Sequence, residues 1–198
     1  MNFLKKWMSC IISFVAGVCG LALSASTGMV TKIATDNAQL AQGLKAMGLE
    51  SDSTKAFKVL TDGDLYTKAK AAGIGDEFMF MKVFAIITLS VSILLIVYAI
   101  VMLLKNLNVI KFESKIFDVV GICLFVLLLV ATIGLLISSN SFAAAQEDKL
   151  VAGLTALGYA SLVNVKVGVG VYQPAMLVIS IIGILAVGAF TFLNKKSA

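Results

Sequence analysis

Four stretches of this chain stay apolar for as long as a helix needs to cross a bilayer, and polar residues return between them. A hydrocarbon core of roughly 30 Å takes about 20 residues of helix. Trp7 to Ser24, Phe78 to Leu104, Ile116 to Ser138 and Ala175 to Leu193 all meet that length. No ionisable group lies in the middle of any of them; Lys82 and Asp118 sit near helix ends, from which a side chain reaches the interface. The pattern predicts an all-α integral membrane protein with four transmembrane helices. The first run also has the flanks of a secretory signal, with Lys5-Lys6 ahead and small residues Ala22 to Ser26 behind. Its apolar part is longer than such signals use, and it has a counterpart later in the chain, so a retained span is expected.

That counterpart belongs to an internal repetition. Residues 39–49, QLAQGLKAMGL, and 149–159, KLVAGLTALGY, share the pattern L-x-x-G-L-x-A-x-G at an offset of 110. Its positions are Leu40, Gly43, Leu44, Ala46 and Gly48 in one copy, and Leu150, Gly153, Leu154, Ala156 and Gly158 in the other. Upstream, Gly20 and Ser24 match Gly134 and Ser138; downstream, Gly73-Ile74-Gly75 matches Gly168-Val169-Gly170. The reading is a tandem repeat of two two-helix units, residues 1–108 and 109–198, related by a pseudo-twofold axis along the membrane normal. The first external segment, 25–77, is longer than the second, 139–174, and its excess falls between Glu50 and Ala72.

Both external segments carry helical spacing. Met29, Val30, Ile33, Leu40, Leu44 and Met47 recur at threes and fours up to Gly48, and Ala143, Leu150, Leu154 and Leu157 do so up to Gly158. Two helices rising into an extracytoplasmic lobe are expected, with Gly43 and Gly153 marking close backbone approach between the copies. Shorter helices fit the polar insert, one capped near Ser51 to Ser53 and one running from Asp62 or Asp64 to Gly73. From Val163 to Val171 the period changes to alternation, a short β element. It pairs near Gly73 to Asp76, pairs with a neighbouring subunit, or is an extended return into Pro174. Within the spans, Ala16, Gly20 and Ser24, with Gly134 and Ser138, form small-residue faces for helix packing or oligomer contact.

Charge orients the bundle. All sixteen basic residues are lysine, and the net charge is +5. Lys5, Lys6, Lys105, Lys111, Lys115, Lys195 and Lys196 share one side, opposed only by Glu113 and Asp118, while the other side is neutral. The positive-inside rule then puts both termini in the cytoplasm of a multi-pass plasma-membrane protein. These lysines are juxtamembrane or scattered, so no nucleic-acid face is implied.

Composition narrows the chemistry. Without His or Arg the chain lacks the commonest acid–base side chain and the usual bidentate anion clamp. Cys10, Cys19 and Cys123 all fall within spans, so no disulfide framework, metal site or cofactor motif is expected. Four spans with both ends inside and a larger first external segment resemble the layout of claudin-type proteins. The likeness is of topology alone, because the external cysteines and Trp-centred motif of those families are absent. The expectation is a non-enzymatic protein that works in assembly, partnered by the lipid bilayer and by itself or another membrane protein through its external lobe. The alternative is an oligomeric pore lined by Ser and Thr.

Overall fold

The computed structural model describes residues 2–25, 29–34, 42, 59–60, 63–110, 114–158, 164–169, 175 and 177–185. Its elements are α1 (Asn2–Ala25), β1 (Met29–Ala34), α2 (Gly63–Ala71), α3 (Gly75–Asn106), α4 (Ser114–Ala156) and β2 (Asn164–Val169). Residues 177–185 are helical as well. Among the described residues three helices are long and apolar enough to cross a membrane: Trp7–Ala25, Gly75–Asn106 and Ile116–Ala156. They mark a mostly helical membrane protein. Of the fourth expected span only the first part, residues 175 and 177–185, is described, and it is helical; the remainder lies outside the described residues.

α3 is the central helix, packed against α1 on one side and α4 on the other. Phe78, Met81, Ala85, Thr88, Ser92 and Leu95 recur at threes and fours along its buried side. Val83, Ile86, Ile87, Leu94 and Val97 are equally apolar and point outward. A helix in water would turn polar residues out; here both sides are apolar, as a lipid-facing helix requires. Apolar contrast therefore cannot hold these helices together, and close packing of side chains must. Buried hydroxyls find acceptors on their own helix. Thr88 donates to the Phe84 carbonyl at 2.8 Å, Ser92 to Thr88 at 2.6 Å, Thr132 to Leu129 at 2.9 Å and Ser138 to Leu135 at 3.1 Å.

Helix ends obey the capping rules read from sequence. α2 stops at Gly73, whose φ of +73 is open to glycine at no steric cost. The Ile74 N–H reaches back to the Ala69 carbonyl at 2.9 Å and the Gly73 N–H to Lys70 at 3.0 Å, while the Ile74 side chain is buried. α3 ends the same way with Asn108 in the left-handed position, and α4 with Gly158. The α2 span agrees with the helix expected between Asp62 or Asp64 and Gly73. The partner helix expected near Ser51 to Ser53 lies outside the described residues.

α4 has 43 residues, about 64 Å at 1.5 Å per residue, or twice the hydrocarbon thickness. Its C-terminal third carries Asn140, Gln146, Glu147, Asp148 and Lys149 and supports the sheet. β1 and β2 pair antiparallel, Met29 opposite Val169 and Ala34 opposite Asn164. A two-stranded ribbon is marginal by itself. This one is held by α4: Val165 is buried, and it and Val167 pack on Leu150 and Leu154. The Val167 N–H, turned away from β1, donates to the Glu147 carboxylate at 3.0 Å.

Two expectations are corrected. Met29 to Ile33 form a strand and not the start of a helix, because six residues are too few to fix a period and an antiparallel partner completes the backbone hydrogen bonding. That partner is β2 of the same chain. Neither the Gly73 to Asp76 stretch, which is a helix stop and a helix start, nor a neighbouring subunit is needed to explain the ladder. The close approach expected between Gly43 and Gly153 involves Gly43, which lies outside the described residues; among the described residues a Cβ placed on Gly153 would meet nothing within 4 Å.

Candidate functional site

The residues that distinguish this molecule gather at the end of the bundle where α2 meets α3 and α4. Phe78, fully buried, anchors that end, with its ring centroid 5.6 Å from Phe142 in edge contact and 6.2 Å from Tyr66. Val59, Ala69, Ile74 and Ala143 join it, so the described residues between α1 and α3 rest on the same core as the long helices. Two clefts open around this cluster. One, of about 400 Å³, lies between α3 and α4 and has Phe80, Phe84 and Ile137 as walls, with Asp76, Glu77 and Ser141 on its rim. Those two carboxylates stand in the first turn of α3, where they complement the helix dipole. The other, of about 310 Å³, lies further along α4 and is lined by Ala69, Ile74, Phe142, Gln146, Lys68 and Lys149 among others.

Beyond the second cleft the tip of α4 has two unlike faces. Leu150 and Leu154 lie under β2. Val151, Ala152, Gly153, Ala156 and Leu157 are exposed, with Leu157 at 67%. Five small or apolar positions, with Thr155 among them, are thus uncovered just beyond the charged run Glu147 to Lys149. The signature residues split accordingly: Leu150 and Leu154 pack, Gly153 and Ala156 stand open, and Gly158 makes the stop. Leu40, Gly43, Leu44, Ala46 and Gly48 lie outside the described residues.

The small residues inside the spans sit within the chain's own packing. Ala16 and Ser24 are fully buried on α1, and Ser24 donates to the Gly20 carbonyl at 2.9 Å. One turn from Gly20, a Cβ on Gly17 would stand 2.6 Å from Ile96 and 2.9 Å from the Ser92 carbonyl oxygen, so α1 and α3 touch nearly backbone to backbone. Gly134 receives the ring of Phe84, Gly121 the phenol of Tyr98, and Gly183 the ring of Phe125. Gly121, Gly183 and their two aromatic partners, Tyr98 and Phe125, carry no periodic signal in the sequence; only a search for aromatics inside spans would have marked them.

At the opposite end of the bundle polar groups cluster near the start of α4. Lys105 holds its ammonium 5.4 Å above the Phe117 ring, next to half-buried Asp118. Cys10 donates to the Ala99 carbonyl at 3.1 Å. The hydroxyls of Tyr98 and Ser13 are buried with no hydrogen-bond partner among the described residues. This group stitches α1, α3 and α4 together, but it places no nucleophile beside a base. Comparison with protein-family models, with curated proteins and with solved structures finds no match to this chain.

Proposed function

We propose that this is a non-enzymatic, four-span protein of the plasma membrane, with both termini cytoplasmic, that acts in assembly through an extracytoplasmic lobe. The four spans form two two-helix repeats, and the helical stretch 177–185, seated on α4 where Gly183 meets Phe125, begins the last of them. The lobe comprises the outer third of α4, the β1–β2 ribbon and α2. One observation carries the reading: the uncovered face Val151, Ala152, Gly153, Ala156 and Leu157. It stands beyond the membrane-spanning part of α4, where exposed apolar surface in water marks an interaction site. Small residues four apart at Ala152 and Ala156, with Gly153 beside them, let a second helix approach closely. The partner that this face fits best is another copy of the chain or an accessory membrane protein.

The pore alternative has less support. The hydroxyls that would line it donate to carbonyls of their own helices, and the interior between α3 and its neighbours is filled by Phe78, Met81, Leu95, Phe125 and Leu128. The test is the mass of the protein in lipid nanodiscs, measured beside ion flux through liposomes. Wild type is expected to run as an oligomer without flux. Leu157→Lys together with Val151→Lys is expected to give monomers of unchanged helix content. A monomeric wild type would refute self-assembly, and reproducible flux would favour the pore.

A further inference from the structure

We draw no further inference here: the strongest candidate, the apolar cleft of about 400 Å³ between α3 and α4 walled by Phe80, Phe84 and Ile137, is an unpartnered apolar face, and nothing in the structure shows what covers it.

Discussion

Glycines in the two halves of α4 do opposite things. Within the span, Gly121 and Gly134 are places where an aromatic ring from α3 enters, and Gly183 opposite α4 is filled by Phe125 in the same manner. At the tip, Gly153 faces open space and Gly158 serves only its backbone conformation. If the tip of α4 stands in water, as proposed, the contrast follows the solvent. In lipid, association gains little from burying apolar surface, so contact must come from shape, and a missing Cβ admits a ring. In water the same vacancy on an exposed face gives the monomer nothing, and in mid-helix it costs about 1 kcal/mol relative to Ala. A glycine kept there makes sense when something outside the chain uses the space.

Substitutions sharpen that contrast, beginning with the strongest. Gly134→Leu drives a side chain into the Phe84 ring and is expected to destabilise the bundle by about 3 kcal/mol, read as earlier unfolding in graded denaturing detergent. A neutral result would show that α3 and α4 do not rely on this fit. Val165→Ala removes the buried strand residue that seats the ribbon on α4, at a cost of about 2 kcal/mol. Cysteine crosslinking between positions 30 and 168 should then weaken while the spans keep their thermal midpoint. Glu147→Gln loses the charge-assisted bond to the Val167 N–H and should cost about 1 kcal/mol, with faster amide exchange at Val167 and little change at Gly168. Gly153→Ala is the mildest and the most telling. It is expected to stabilise the monomer by about 1 kcal/mol while loosening the oligomer; loss of monomer stability would mean that Gly153 is packed after all.

What the sequence disclosed follows from how far each signal extends. Runs of twenty apolar residues are unmistakable: the first two helices begin and end within a few residues of where hydropathy put the spans, and the third begins at Ile116 as expected but runs on to Ala156, well past Ser138. Capping glycines are local, so Gly73 and Gly158 were readable as stops. Alternation over Val163 to Val171 was long enough to reveal a strand, observed at Asn164–Val169. Its partner was not, because Met29, Val30 and Ile33 carry spacings that a helix and a strand share over so short a stretch. The ring-into-glycine contacts were hidden for another reason. A helix apolar on all sides gives no sign of which face turns inward, so rotational phase appears only once the helices are docked. The second cleft joins residues about eighty positions apart, and neither Lys68 nor Lys149 differs in sequence from an ordinary surface lysine.

The β1–β2 ladder also sets a timetable. Its strands are separated by some 130 residues and by two complete spans, so β1 leaves the ribosome well before its mate is made. At about 5–20 residues per second that interval lasts on the order of ten seconds. Throughout it, β1 has a bare backbone edge, open to the same strand of a sister nascent chain. A molecule whose ribbon closes last is one in which membrane insertion must be finished before the outer part can mature, and slowed translation between the halves should raise the yield of strand-exchanged dimers.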